Sequence, residues 1–346
     1  MSELRSERRR KQKQKPKKWK KRIIWILLLM LIAIIAYAIY FFTQIFDAAK
    51  DSHVELDRPD GKSELRDEAV TIGDDPFSIL LIGVEDYETD GKNGRADTQI
   101  VVTLNPDTDQ MTMTTVPRDS QVEFTAEEAG QYAGSHKINA AYTYGSITDY
   151  GPNKLTVEKV EQLLDIPIDE YVTVNFDGFR DIVDALGGVT VDIKEPFYEK
   201  NIYAGGERIY FEQGPAKLNG EEALAFVRMR KREVNAIYSR EERQRQFIQA
   251  SIDQAISAGT LFKVGEITDI LGKNVTTSLS PTEIYHLQRA YSSMNASSIE
   301  TFEIEGSNQM LGGISYFVPT EDGLYNVSQQ LKQALGLPSD TINQTE

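Results

Sequence analysis

The chain contains no cysteine, which excludes disulfides and thiolate metal sites. Histidine is nearly as scarce. His53, His136 and His286 are too scattered to form a zinc motif. Basic residues are also few beyond position 22, where 26 Lys and Arg face 51 Asp and Glu, a net of −25. A surface of that sign is repelled by nucleic acid and by anionic lipid headgroups. An anionic ligand would therefore need a local basic site. No internal repeat is present, and no low-complexity tract follows the basic start.

The first 22 residues reverse that balance, with 12 Lys or Arg and 2 Glu. They lead into Ile23–Phe42, an uncharged run of 20 residues. A helix of that length rises about 30 Å, the thickness of a bilayer's hydrocarbon core. Bulky Tyr40, Phe41 and Phe42 close the run where a cleavable signal peptide would carry small residues. The segment reads as an uncleaved transmembrane signal-anchor. Mixed charges follow it, so the positive-inside rule puts residues 1–22 in the cytoplasm and the rest outside. A basic start read alone would equally suit a nucleic-acid-binding arm, but its place directly before a spanning run argues against that and against nucleic acid as a partner. Residues 43–76 are polar and weakly periodic, as expected of a juxtamembrane linker. Residues 77–337 have the length of one large domain, and 338–346 read as a loose tail.

Within that domain, Phe77–Val84 is a continuous apolar run of strand length, expected to be central in a sheet. Thr98–Asn105 and Gln110–Val116 read as strands joined by turn residues Pro106–Asp109. Tyr171–Val174 and Val189–Ile193 are further strands. Helical patterns cover Thr156–Leu164, Phe176–Leu186, Gly220–Phe226 and Ser239–Ser257, and Gly187-Gly188 supplies a C-terminal cap for the second. Strands alternating with helices, together with an early hairpin, predict a layered α/β/α domain with a central mixed β-sheet, preceded by one transmembrane helix.

A basic site stands out at Arg228–Arg245. It holds Arg228, Arg230, Lys231, Arg232, Arg240, Arg243 and Arg245 against three glutamates. In an extended segment Arg228 and Arg230 would point the same way. Arg240, Arg243 and Gln244 fall on one helical face. Converging guanidinium groups suit phosphate or diphosphate, although a solvated face of ion pairs has the same composition. Glu85 and Asp86 follow the first strand and Asp97 precedes the second. Carboxylates at strand ends can hold Mg²⁺, or they can simply be solvated turn residues.

Seven segments in order resemble the motifs of the LytR-CpsA-Psr family. They are Gly94-Arg95-Ala96-Asp97-Thr98, Pro117-Arg118-Asp119-Ser120, Lys137-Ile138-Asn139-Ala140-Ala141-Tyr142, Asp184-Ala185-Leu186-Gly187-Gly188-Val189, Leu218-Asn219-Gly220-Glu221-Glu222-Ala223-Leu224, Val227-Arg228-Met229-Arg230 and Arg240-Glu241-Glu242-Arg243-Gln244. The resemblance spans roughly residues 77–257. It implies a membrane-anchored enzyme of the Gram-positive envelope. Such an enzyme moves an anionic glycopolymer, such as wall teichoic acid, from a polyprenyl diphosphate carrier to peptidoglycan, forming a phosphodiester and releasing polyprenyl phosphate. It also implies Asp97 as catalytic and Mg²⁺-binding residue, with another divalent ion possible, and Arg118 as catalytic. Arg95, Lys137, Arg228, Arg230, Arg240 and Gln244 would grip the diphosphate. The family's second metal-site Asp is Glu85 here, one methylene longer, with Asp86 as a substitute. A diphosphatase using water as acceptor would need the same residues, and a non-catalytic envelope sensor or regulator is the rival from another class.

Overall fold

The computed structural model describes residues 52–86, 93–257, 274–291 and 299–339. The basic start 1–22, the expected anchor Ile23–Phe42 and most of the tail 338–346 lie outside the described residues. Among the described residues no helix is long and apolar enough to cross a membrane.

The strands run in chain order as β1 (Phe77–Glu85), β2 (Arg95–Asn105), β3 (Gln110–Thr115), β4 (Gln121–Phe124), β5 (Gly134–Lys137) and β6 (Glu170–Asn175). They continue as β7 (Val189–Ile193), β8 (Phe197–Lys200), β9 (Arg208–Phe211), β10 (Gly214–Leu218), β11 (Val275–Thr277), β12 (Ile299–Phe302), β13 (Gly306–Leu311) and β14 (Ile314–Pro319). The principal helices are α1 (Ala140–Ile147), α2 (Pro152–Leu164), α3 (Phe176–Ala185), α4 (Gly220–Arg228), α5 (Arg240–Ser257), α6 (Pro281–Tyr291) and α7 (Glu321–Ala334). Six strands form the main sheet in the order β11-β6-β1-β2-β3-β12. β1 is central and pairs parallel with β6 and antiparallel with β2, so the sheet is mixed as expected.

The apolar run of β1 is buried on both faces. Leu80, Ile82 and Val84 join one core with Val157, Leu164, Val327 and Leu331 of α2 and α7. Phe77 and Ile79 join the other, which Ile248 of α5 and Leu287 and Tyr291 of α6 cover. Successive side chains thus feed opposite helical layers, the period of two that a strand imposes. A third core, built on Phe197, Phe211, Phe226 and Phe247, unites β7–β10 with α3–α5. Of β7–β10, sequence patterning marked only β7.

Local chemistry sets the boundaries. The β2–β3 turn forms because the Asn105 side chain accepts from the Asp107 backbone N–H at 3.0 Å. α2 starts four residues earlier than its apolar pattern, at Pro152 behind Gly151, a position where proline loses no helix bond. α3 is capped by Asn175 Oδ1, which accepts from Gly178 N at 2.8 Å. It ends as expected at Gly187, whose φ of +76° only glycine adopts freely.

Residues 52–76 of the expected linker are fastened to the domain. Arg66 makes a two-pronged contact with Asp169, at 2.9 and 2.6 Å. Arg58 pairs with Glu161 at 3.0 Å and donates to the Ile168 carbonyl at 2.6 Å. Val54 N–H donates to the Thr277 carbonyl of β11.

Candidate active site

The geometry begins with an irregularity in the β1–β2 ladder. Pairing is one-for-one from Phe77↔Leu104 to Gly83↔Thr98, and then Val84 pairs with Ala96. Asp97 is the extra residue of a β-bulge. Ala96 consequently packs in the same core as Val101, five positions away, a parity that a regular strand forbids. The bulge turns the Asp97 carboxylate out of the ladder at the sheet's end.

Asp97 is buried, at 7% relative exposure, among donors. Arg118 Nη1 donates to Oδ2 at 2.5 Å and Asn139 Nδ2 to Oδ1 at 3.1 Å. Arg240 Nη2 lies 4.0 Å from Oδ2. Glu85, at the end of the neighbouring strand, lies near enough to influence the same carboxylate. Burial alone would raise the pKa of Asp97, but Arg118, then Arg240, Asn139 and Glu85, hold it below the ordinary carboxylate value. Asp86 turns elsewhere, toward Asn175 Nδ2 at 3.4 Å, and burial raises its pKa.

Arg118 sits just beyond β3, in a turn closed by Ser120 N–H on the Pro117 carbonyl. Proline ends the strand there because it has no N–H for the ladder. Lys137 Nζ meets Asp119 Oδ1 at 2.9 Å, so it braces the Arg118 loop rather than Asp97 itself. Asn139 was not among the expected site residues. It occupies the N-cap position of α1 but makes no side-chain cap, since its backbone is already helical there, and its amide Nδ2 donates to Asp97 instead. Its place in the Lys137–Tyr142 segment was the available signal.

The α4–α5 connection carries the remaining cations. Arg228 ends α4, with its guanidinium 4.9 Å from the Phe176 ring centre, and Arg230 is exposed beyond it. They are therefore not the parallel pair of an extended segment, since helix geometry persists through Arg228. Arg243 also departs from the expected cationic face. It is fully buried and donates to the carbonyls of Phe226, Met229 and Tyr238 and, at 3.2 Å, to Asn235 Oδ1. It fixes the loop that presents Arg228 and Arg230. Arg240 is buried at 8% exposure, and its Nε has no hydrogen-bond partner among the described residues. Burial lowers its pKa, as do Arg118 and Arg230, while Asp97 opposes them. Gln244 Nε2, one turn along, donates to Thr98 Oγ1 at 2.9 Å. Arg95 is exposed at the start of β2, and its charge is felt by Tyr144.

Arg228, Arg240 and Gln244 stand at the polar end of a groove of about 180 Å³ between the sheet and α3–α5. Val172, Val174, Phe179, Leu224, Val227 and Phe247 supply its apolar walls. Gly83 lies on its floor, where a Cβ would meet Thr98 Cβ at 3.0 Å. An apolar trough ending at buried Arg240 and half-buried Arg228 suits the head-proximal part of a hydrocarbon with an anionic head.

The LytR_cpsA_psr family model matches residues 39–333. The Bacillus subtilis protein named polyisoprenyl-teichoic acid–peptidoglycan teichoic acid transferase TagV is 40% identical over 326 residues, covering 94% of this chain and 81% of that protein. A transferase of the same description, TagU of Halalkalibacterium halodurans, is 39% identical over 90% of this chain and 96% of its own length. The crystal structure of B. subtilis TagV superposes with a TM-score of 0.65 at 42% identity, covering 76% of this chain and 98% of that one. The LytR-CPS2A-psr family protein YwtF (TagT) with bound octaprenyl pyrophosphate lipid superposes with a TM-score of 0.63 at 28% identity, covering 82% of this chain and all of that one.

Proposed function

This chain belongs to the LytR-CpsA-Psr family, and from that membership and the site around Asp97 we propose that it is a glycopolymer–peptidoglycan phosphotransferase. It moves a teichoic-acid-type polymer from a polyprenyl diphosphate carrier to peptidoglycan. The observation that carries this reading is the apolar groove that ends at Arg228, Arg240 and Gln244, beside Arg118 and Asp97. One ligand with a polyprenyl tail and a diphosphate head satisfies both halves.

The head-proximal part of the tail occupies the groove, and the diphosphate lies against Arg228, Arg230 and Arg240. Anionic oxygens there supply the partner that buried Arg240 Nε lacks among the described residues. Phosphoryl transfer is chiefly a matter of positioning and charge neutralisation, and these fixed cations provide both. Asp97 orients Arg118 through their 2.5 Å contact. It also remains ionised near neutrality, ready to take the proton of an attacking sugar hydroxyl.

The adjacent carboxylates of Asp97 and Glu85 fit a Mg²⁺ ion or a similar divalent cation. Asp97 and Glu85 lie at the paired ends of β2 and β1, and Mg²⁺ favours one or two protein carboxylates plus phosphate oxygens. When bound, the ion would supply further neutralisation of the diphosphate oxygens. Asp86 faces Asn175 and is the lesser candidate. Ile23–Phe42 would hold the enzyme in the cell membrane as a single-pass type II protein with its domain outside, in the bilayer that carries the donor lipid.

The test is transfer of a lipid-linked polymer to peptidoglycan by the purified protein and by its Asp97→Ala and Arg118→Ala variants. Both variants should lose about 10²-fold or more in rate, as expected when a preorganised charge is removed. Undiminished transfer by both would refute the proposal. Donor cleavage by the unaltered protein with no polymer joined to glycan would assign water as the acceptor instead.

A further inference from the structure

A second cavity, of about 410 Å³, adjoins the same catalytic loop and has different chemistry. Its lining includes Arg118, Glu241, Arg245, Glu303, Asn308 and Phe317. Helix α5 separates it from the apolar groove. Arg240 and Gln244, one turn apart, line the groove, whereas Glu241 and Arg245, again one turn apart, line the second cavity. A rotation of 100° per residue puts these two stripes on adjacent faces of one helix. Asp97 stands between the two spaces. Arg240 of the groove approaches it at 4.0 Å, and Arg118 of the second cavity bonds it at 2.5 Å.

The far wall is the β13–β14 hairpin, in which Asn308 and Phe317 are directly paired. The hairpin is fastened to the Arg118 loop, because Phe317 N–H donates to the Asp119 carbonyl at 2.9 Å. The cavity and the catalytic arginine are thus built as one piece.

We propose that this second cavity is the acceptor subsite, which receives a hydroxyl-bearing stretch of glycan and presents it to the diphosphate from the face of α5 next to the lipid groove. The inference rests on the phosphotransferase reading and adds the acceptor's place to it. Charge pairing selects the occupant. Lys137 pairs with Asp119, Arg245 with Glu303 and Arg118 with Asp97, so these cations are already matched and the cavity offers no surplus positive charge to a polymer of repeated phosphates. Sugar hydroxyls instead find carboxylate acceptors and the Asn308 amide, and the ring of Phe317 offers an apolar face. Transfer needs the nucleophile to reach the phosphorus by a path that the leaving group does not occupy, and two separate cavities that meet at Asp97 give acceptor and lipid different approaches. The glycan hydroxyl oxygen forms a bond to the polymer-side phosphorus. The bridging P–O bond breaks and its electron pair stays with polyprenyl phosphate. The hydroxyl proton passes to Asp97 and then to water.

The experiment compares the full chain with its Phe317→Ala and Asn308→Ala variants in transfer of lipid-linked polymer to peptidoglycan, with donor and acceptor concentrations varied separately. Each variant should raise the acceptor KM about tenfold, in line with the loss of one ligand contact, with the donor KM changing less than twofold. Asn308 lies exposed on its strand, so its variant keeps the test valid if Phe317→Ala misfolds. An unchanged acceptor KM in Asn308→Ala and in folded Phe317→Ala would overturn the proposal. So would a parallel rise in donor KM, which would give the cavity to the donor polymer. Failure of the unaltered chain to transfer polymer at all would instead count against the phosphotransferase reading itself.

Discussion

At the scale of single residues, Asp97 is a carboxylate whose charge the fold prefers. Its lowered pKa means that the folded state binds its proton less tightly than the unfolded chain does. That contribution to stability is complete above the unfolded value of about 4 and is lost as pH falls through the folded value. Asp97→Asn should therefore destabilise the protein at pH 7 by roughly 1–3 kcal/mol, because Arg118 and buried Arg240 lose their counter-charge. The difference from the unaltered protein should shrink below about pH 4. Denaturant titrations at pH 7 and pH 3 would measure both. A deficit of the same size at the two pH values would contradict the linkage. The residue types of this site were legible in the sequence, since Asp97, Arg118, Arg228, Arg240 and Gln244 stand in recognisable segments. Their depth was not. Arg240 and Arg243 are three positions apart on one helix, yet one faces the apolar groove and the other disappears into backbone carbonyls. Helical spacing groups residues by face but does not say what covers that face.

At the scale of elements, two devices assemble the site, and neither has a sequence signature. One is the bulge at Asp97, which depends on the register between two strands rather than on either strand alone. The other is the Arg243 staple across the α4–α5 connection. The strands β1, β2, β3, β6 and β7 and the helices α3–α5 were legible because apolar runs and caps are local properties. The short β8–β10 ribbons were not, because their burial comes from a third core contributed by distant helices. Removing the staple leaves three main-chain carbonyls and the Asn235 side chain without their donor. Arg243→Met should accordingly cost about 3 kcal/mol or more, the penalty for several unsatisfied buried acceptors. It should also open residues 229–238 to protease and raise the donor KM, since Arg228 immediately precedes that loop and Arg230 lies in it. Limited proteolysis together with urea unfolding would check this. An unchanged cleavage rate at 229–238 would show that the loop holds its shape without Arg243.

At the scale of the whole molecule, the segment that leads from the proposed anchor is part of the folded body from Ser52 onward. Arg58 and Arg66 clamp it beside the start of β6, where Asp169 and Glu161 receive them. Residues 52–76 are thus not the loose linker that their composition suggests, because polar composition looks alike whether a segment floats or is pinned by buried ion pairs. The same junction holds a titrating group. Glu170, the first residue of β6, has a buried Oε2 without a hydrogen-bond partner among the described residues. Burial pushes its pKa up to about 7. Glu283 and Asp169 add to the rise, and Ser278 and Arg58 oppose it. The folded protein therefore holds this proton more tightly than the unfolded chain does. Its contribution to stability is present below the unfolded value of about 4.3 and is lost as pH rises toward 7. Glu170→Gln keeps the shape and removes the charge. It should leave stability near pH 4.5 almost unchanged and raise it at pH 8 by roughly 1–3 kcal/mol, and the docking of residues 52–76 should tighten with it. Thermal melts at the two pH values, with amide exchange across 52–76 as the local reporter, would test this. Equal melting temperatures for variant and unaltered protein at pH 8 would mean that Glu170 is already neutral or already solvated there.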